Sequence, residues 1–413
     1  MNLKRNITGR LEKFLSFFPV VAIQGARQCG KTTLCKNLRP EWKYLDLEKE
    51  SDYDFLTGDF DFFFKNNPSG VIFDEAQLSP QLFRELRGVV DSDRNRRGRF
   101  IITGSSSPEL ISNLNESLAG RIGVIELGTL ALNERFELPV SGLFDVLVNH
   151  PVSSHLELLS GLKLRLDHEQ VMKHFLYGGY PEPAIHSDPD FYGHWMENYR
   201  RSYVDRDIRR LFPRLNARNY SRFLSMLGEL SGTIINRAEI GRSLNVGETA
   251  VRDYLDIAEG TYVWRNIPSL ERTVSKSVVK MPRGYIRDSG LLHHMAAVRS
   301  VEQLYRRPGT GAVFEAFVIE EFIKNIHALE PVPWKFSYYR TRNGAEVDLV
   351  LENADRERIP VEIKFGMTTR RSDLRSLSDF IKKENLTYGI VINNAEEVCQ
   401  LTDSIVQLPA GVL

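Results

Sequence analysis

Three groups of residues in this chain have the types and spacing to do chemistry. The first is "QGARQCGKTT", residues 24 to 33. Gly25, four free positions, then Gly30, Lys31 and Thr32 supply every fixed residue of a phosphate-binding loop. The apolar run "FFPVVAIQG" before it reads as a buried strand, and "TTLCKNL" after it continues as a helix. In that context the backbone N–H groups of Gly25, Ala26, Arg27, Gln28, Cys29, Gly30, Lys31, Thr32 and Thr33 wrap the phosphates of ATP or GTP. Lys31 reaches the β and γ phosphates, and the Thr32 hydroxyl helps to hold Mg²⁺.

The second group is "GVIFDEAQ", which places Asp74 and Glu75 at the carboxyl end of an apolar strand. In a parallel sheet that end lies beside the phosphate loop, so both acids meet the nucleotide. Asp74 is expected on Mg²⁺ and Glu75 on the attacking water. The next strand, "RFIITGSSS", ends in Thr103 and Ser105. One of these hydroxyls, Ser105 above all, is expected between the acids and the γ-phosphate, bonded to that water. Ser107, before "PEL", reads as a helix N-cap.

The third group lies near the C-terminus. "AEVDLVLE" and "IPVEIKF" give Asp348, thirteen residues, then Glu362-x-Lys364. Side chains alternate on a strand, so Glu362 and Lys364 share a face, and Asp348 on the preceding antiparallel strand can meet them. Glu315, on the helix "AVFEAFVIEEF", offers a third carboxylate. Glu315, Asp348 and Glu362 are candidate ligands for a second Mg²⁺, with Lys364 orienting or activating water.

Parts of the chain must position these groups. At 413 residues it has length for two to four domains. An apolar content of 42% and a charged content of 26% are those of ordinary globular proteins. The formal net charge is zero, so any nucleic-acid surface must be local. The start carries no signal-peptide pattern, and no apolar run is long enough to span a membrane. Cys29, Cys35 and Cys399 have no metal spacing and no even framework, which fits a reducing cytoplasm.

Residues 1 to 135 alternate short apolar strands with helical stretches, the pattern of a parallel α/β sheet. Residues 136 to 230 are helical in pattern, a lid or linker. Within them, Tyr192 to Arg218 hold seven arginines against Glu197, Asp205 and Asp207, a balance of 7 − 3 = +4. Tyr192, Trp195, Tyr199 and Tyr203 form a helical stripe there, which reads either as core or as a phosphate-backbone contact. Residues 231 to 299 read as a winged helix: "NRAEIGRSL", a tight turn, "GETAVRDYLDIAEG", then strand pieces. Glu248, Thr249 and Arg252 would face a DNA groove, although Asp253, Asp256 and Glu259 on the same helix are poor electrostatics for that. Residues 300 to 413 return to helix and strands.

Together "GARQCGKTTL", "VIFDEAQ", "IITGSSSPEL", "ESLAGR" and "YGGYPEP" resemble an AAA-type ATPase of a bacterial and archaeal family with a nuclease-like C-terminal module. The C-terminal group resembles the PD-(D/E)xK nuclease core, with Val347 rather than Pro before Asp348. The resemblance implies an α/β fold: a P-loop parallel sheet with a helical lid, a winged helix and a restriction-endonuclease-like α/β domain. It implies ATP and Mg²⁺ as cofactors, and a homo-oligomer, as in a ring, with Arg121 as an arginine finger on a neighbour's γ-phosphate. A capping or salt-bridge role is the other reading of Arg121. The functional expectation is a motor that binds and remodels or translocates DNA, with cleavage by the C-terminal module left open. The rival is an ATP-dependent regulatory switch or scaffold whose C-terminal parts contact proteins.

Overall fold

The computed structural model describes residues 3–413 except 106–116, 187, 214, 271–280, 330, 331, 333, 342 and 343, together with the side chains of residues 105, 205, 207 and 210. The chain divides into two compact units, residues 1–129 with 260–262, and residues 130–259 with 263–413.

The first unit is built on five parallel strands. They are β1 (Val20–Gly25), β2 (Lys43–Asp46), β3 (Val71–Asp74), β4 (Phe100–Ser105) and β5 (Ile122–Glu126), in the order β2-β3-β4-β1-β5. Every neighbouring pair is parallel. All six residues of β1 and all four of β3 are buried, which is why both read as unbroken apolar runs. Phe63, Phe64, Phe73 and Phe100 form one aromatic cluster with ring centroids 5.3–6.2 Å apart. Each buried ring contributes about 2 kcal/mol. The cluster locks β3 against β4 and so fixes the acids at the end of β3 relative to the hydroxyls on β4. The N-cap expected at Ser107 lies outside the described residues.

The second unit holds a large hydrophobic core with residues from Leu132 to Leu413, and a smaller one that includes Val347, Leu377 and Phe380. A helix spans Glu248–Gly260 after the helix Arg237–Leu244, with Asn245 in the left-handed region at φ 55° between them. Ile240, Leu244, Val251 and Leu255 are buried where these two helices meet, while Glu248, Thr249 and Arg252 are exposed. A small antiparallel sheet flanks these helices in the chain, β6 (Thr233–Ile234) before them and β7 (Trp264–Ile267) and β8 (Arg283–Ile286) after them, in the order β6-β8-β7. The tyrosine stripe is core: Tyr192, Tyr199 and Tyr203 are buried, and Trp195 stacks on Tyr199 with ring planes 7° apart.

The larger sheet has the order β13-β14-β12-β11-β10-β9. Its strands are β9 (Lys335–Arg340), β10 (Glu346–Glu352), β11 (Arg358–Ile363), β12 (Gly389–Asn393), β13 (Cys399–Thr402) and β14 (Ile405–Pro409). β9, β10 and β11 are antiparallel neighbours, whereas β11 and β12 are parallel. The helix Arg375–Glu384 makes that crossover, burying Leu377, Phe380 and Ile381 with Val347, Val350 and Val391. On the other side, Leu349, Leu351, Val361 and Ile363 join the core that holds the helix Thr310–Leu329. That helix carries Glu315 past the hairpin of β10 and β11.

Candidate nucleotide site and acidic cluster

The phosphate loop leaves the end of β1 at Gly25, where a Cβ would lie 2.1 Å from the Leu127 carbonyl oxygen. No side chain fits there. Gly30 takes φ 101°, a left-handed cap from which the helix Lys31–Leu38 starts. Backbone N–H groups at that helix start are unsatisfied within the helix and favour an anion. The loop is braced from outside: the buried Arg5 donates Nη1 to the Cys29 carbonyl at 2.8 Å and Nη2 to the Gly128 carbonyl at 2.8 Å. Lys31 is buried and donates to the carbonyls of Gly25 at 3.1 Å and Ala26 at 2.9 Å.

Asp74 is the centre of the site. Its Oδ2 accepts from Thr32 Oγ1 at 2.5 Å and from the Tyr44 hydroxyl at 2.6 Å. Its Oδ1 accepts from Thr103 Oγ1 and from the Glu75 backbone N–H at 3.2 Å. Three strands and the loop helix therefore converge on one carboxylate. β4 stands between β1 and β3, so Thr103 falls between the phosphate loop and the acids. Ser105 ends β4, and its side chain lies outside the described residues. Glu75 sits just past β3 in the left-handed region at φ 53°, and its Oε2 accepts from Gln77 Nε2 at 2.5 Å. A bulky residue there is strained backbone at a candidate catalytic position.

Tyr44, Thr103 as an Asp74 partner, and Arg5 were not singled out by sequence reasoning. Burial and the bond to Asp74 push the Tyr44 hydroxyl up, so it donates to Asp74 as the neutral phenol. Burial and then the Asp74 charge push up the Cys35 thiol, so it is an inert packing group. Only the alternation in "KYLD" could have placed Tyr44 and Asp46 on one face of β2.

Arg121 lies at the other end of the sheet. It immediately precedes β5, whose Gln24-to-Glu126 register puts the phosphate loop about 16 Å further along the strand. Its Nε and Nη2 donate to Asp91 at 2.7 and 2.9 Å, and its Nη1 donates to the Ala119 carbonyl at 2.9 Å. The Arg121 pair holds the Asp91 carboxyl down at about 2. The guanidinium is thus engaged within its own chain, in the salt-bridge arrangement that was the other reading of this residue. Arg94 and Arg97, from the run "DRNRRGR", line a cavity of about 450 Å³ with it.

In the second unit Glu315, Asp348, Glu362 and Lys364 come together, with Arg283 added. A β-bulge between Val347 and Val350 turns Asp348 toward β11, where its Oδ2 accepts from the Ile363 N–H at 2.8 Å. Lys364 Nζ donates to Glu362 Oε1 at 2.5 Å. Glu315 Oε1 accepts from the Tyr285 hydroxyl at 2.6 Å and from Arg283 Nη1 at 2.6 Å. Arg283 also pairs with Glu346 through Nη2, and its Nη1 lies 3.8 Å from Asp348 Oδ1. Burial and then Asp348 push the Glu315 carboxyl up to about 7. Burial and then Asp348 push Glu362 up to about 8. Burial would lower the ammonium of Lys364, but Glu362 and Asp348 overcome it and hold it up.

Expected there was Mg²⁺ among Glu315, Asp348 and Glu362. The structure instead brings a guanidinium onto Glu315 and toward Asp348, and that donor set does not fit a metal as it stands. Among the described residues no group of three or more His, Cys, Asp or Glu side chains is arranged to hold a metal ion. Arg283, Tyr285 and Glu346 were missed by sequence reasoning. The alternation in "RGYI" and in "EVD" places each pair on one strand face, which was the available signal.

A parallel P-loop sheet with an acid pair beside the loop defines an AAA-type ATPase domain, and comparison with known proteins agrees. The family described as "AAA domain" matches residues 18–136. Two domains of unknown function, DUF8612 and DUF4143, match residues 168–302 and 310–413. Over 408 residues the chain is 30% identical to uncharacterized protein Rv2008c of Mycobacterium tuberculosis (strain ATCC 25618 / H37Rv), covering 98% of this chain and 83% of that one. The chain belongs to the same family as that protein. Uncharacterized protein Mb2031c of Mycobacterium bovis is similar to the same extent. Among solved structures, the Walker-type ATPase PABY2304 of Pyrococcus abyssi is similar with TM-score 0.40 and 15% identity, over 72% of this chain and 96% of that chain. A RuvB point variant from Thermotoga maritima is similar with TM-score 0.29 and 15% identity, over 64% and 89%. The chain hydrolyses ATP and carries an AAA-type P-loop ATPase domain over residues 18–136. Among the described residues no helix is long and apolar enough to cross a membrane.

Proposed function

We propose that the chain is an ATP-driven DNA-remodelling protein whose second unit is the nucleic-acid-handling part. The observation that supports the ATP step is the convergence of Thr32, Tyr44 and Thr103 on Asp74 beside Lys31. Thr32 and Asp74 offer adjacent hard oxygen ligands, which fit Mg²⁺. When bound, that ion neutralises charge on the β and γ phosphates. Lys31 leaves the loop carbonyls to bind the same phosphates. Glu75 takes a proton from water as the water oxygen bonds to the γ-phosphorus and the bond to the bridging oxygen breaks, leaving ADP and phosphate. Gln77 holds the Glu75 carboxylate in place, and Thr103 keeps Asp74 from turning.

The DNA role is supported by the assembly of Glu315, Asp348, Glu362 and Lys364 around the hairpin of β10 and β11, the arrangement that a PD-(D/E)xK core requires. Exposed Glu248, Thr249 and Arg252 at the start of the second helix of the helix-turn-helix offer a further contact. A cytoplasmic homo-oligomer, as in a ring, belongs to the same reading. Within that oligomer Arg121 stays paired with Asp91 of its own chain. A second reading, a regulatory switch or scaffold, is favoured by one observation: Arg283 neutralises the acidic cluster from within. ATP turnover measured with and without single-stranded, duplex and branched DNA separates the two. Stimulation supports the DNA role, and indifference to every DNA supports the switch.

A further inference from the structure

The acidic cluster of the second unit is closed by a residue from a different element. Arg283 stands on β8, which pairs with both β6 and β7, so its backbone is fixed from two sides. Its guanidinium lies 5.0 Å from the centre of the Tyr338 ring and is almost fully buried. From there it binds Glu315 and Glu346 and approaches Asp348. Tyr285, two residues along the same strand, adds a second donor to the Glu315 oxygen that Arg283 uses.

We propose that Arg283 is a resident cation that keeps this cluster closed to divalent metal, and that the cluster binds a divalent cation once the Arg283 side chain is withdrawn. Two observations argue for a latent site rather than a finished salt-bridge network. Glu362 is 6% exposed, and its Oε2 is buried without a hydrogen-bond partner. Lys364 covers only the other oxygen of that carboxylate. A structural network of buried carboxylates normally satisfies each oxygen, because an orphaned one carries its full desolvation cost. Arg283 Nε is likewise buried without a partner, so the guanidinium does not match the cavity fully.

A divalent ion cannot share the site with Arg283. Mg²⁺ needs carboxylate oxygens at about 2.1 Å in a near-octahedral shell. Glu315 Oε1 already accepts from two donors, Arg283 and Tyr285. The guanidinium charge repels an incoming cation at close range in a poorly screened interior. Removing the guanidinium leaves Glu315, Glu346 and Asp348 without their counter-charge, which raises affinity for any cation that fits. The inference goes beyond the DNA reading, and it holds whether the partner is a nucleic acid or a protein.

The test uses the full-length chain without nucleotide or DNA, titrated with Mn²⁺ and followed by electron paramagnetic resonance of the free ion. The wild type is expected to show no Mn²⁺ binding that Asp348→Asn removes. Arg283→Gln is expected to gain one site, at least tenfold tighter than any wild-type binding and lost again on adding Asp348→Asn. Arg283→Lys keeps a cation in place and is expected to remain closed. Should Arg283→Gln fail to fold, Arg283→Met, which keeps an apolar stem and removes the charge, carries the same expectation. An Asp348-dependent site in the wild type as tight as in Arg283→Gln overturns the proposal. So does the absence of any gain in whichever of the two variants is folded.

Discussion

Thr32 Oγ1 and Asp74 Oδ2 lie 2.5 Å apart, joining the start of the loop helix to the end of β3 across the intervening strand. The first prediction rests on that contact. Asp74→Asn keeps the shape but makes one oxygen a donor, which faces the hydroxyls of Thr32 and Tyr44 or that of Thr103. ATP turnover should fall by about a hundredfold or more, as for loss of one preorganised polar contact in a phosphate-transfer site. Lys31→Ala should lower ATP affinity as well, measured with a fluorescent ATP analogue.

Glu75→Gln should separate binding from hydrolysis. The amide cannot take the proton from water, so phosphate release should fall by about a hundredfold to ten-thousandfold while ATP affinity holds. Gln77 Nε2 would face an amide instead of a carboxylate, and Gln77→Ala should show a smaller loss in turnover alone. Unchanged turnover in Glu75→Gln would reassign the two acids.

Arg121 and Asp91 should behave as one unit. The bidentate pair predicts that Arg121→Ala and Asp91→Ala lower the thermal midpoint of the first unit to a similar extent. It also predicts that mixing Arg121→Ala with Lys31→Ala chains restores no ATPase activity. Recovered turnover in the mixture would show that Arg121 leaves Asp91 and acts on a neighbour.

His293 gives a pH prediction. Its Nδ1 is 3.1 Å from the Leu176 carbonyl, which only accepts, so Nδ1 carries the proton. Nε2 is buried without a partner, and burial lowers the imidazole to about 4. Between about pH 6.5 and 4 the unfolded chain binds a proton that the folded chain refuses, so stability falls as pH falls through that window and levels off below it. From pH 7 to 5 this single group costs about 2 kcal/mol. In denaturant titrations at the two pH values, His293→Gln should lose that much less stability than the wild type.

Legibility followed local geometry. β1, β3 and β4 were readable because each is a buried apolar run followed by a turn or helix signal, whereas β2 and β5 are only partly buried and read through their place between helical stretches. The loop residues and the two acids were readable because their spacing is set by one strand–loop–helix unit. Thr103 was placed by its position at the end of β4, but Tyr44 and Arg5 reach the site from distant segments with no local signature. In the second unit, Asp348, Glu362 and Lys364 follow from strand alternation, and Glu315 from the helix before them. Arg283 comes from 32 residues before Glu315 in a different sheet, and no local pattern reports a contact of that range. The hairpin of β13 and β14 was missed because "CQLT" is short and mostly exposed, leaving no apolar alternation to read. The stripe from Tyr192 to Tyr203 shows the opposite case: an aromatic helical face beside arginines is periodic either way, and burial decided it as core.

The measurement that bears most directly on the account is steady-state ATP hydrolysis by the full-length chain, with and without single-stranded, duplex and branched DNA, in wild type and Glu75→Gln. The account predicts basal turnover that at least one DNA raises severalfold, with both basal and stimulated rates lost in Glu75→Gln. Turnover that no DNA changes, in a wild-type protein whose ATPase activity depends on Glu75, would contradict the DNA-remodelling role and leave the regulatory switch in its place.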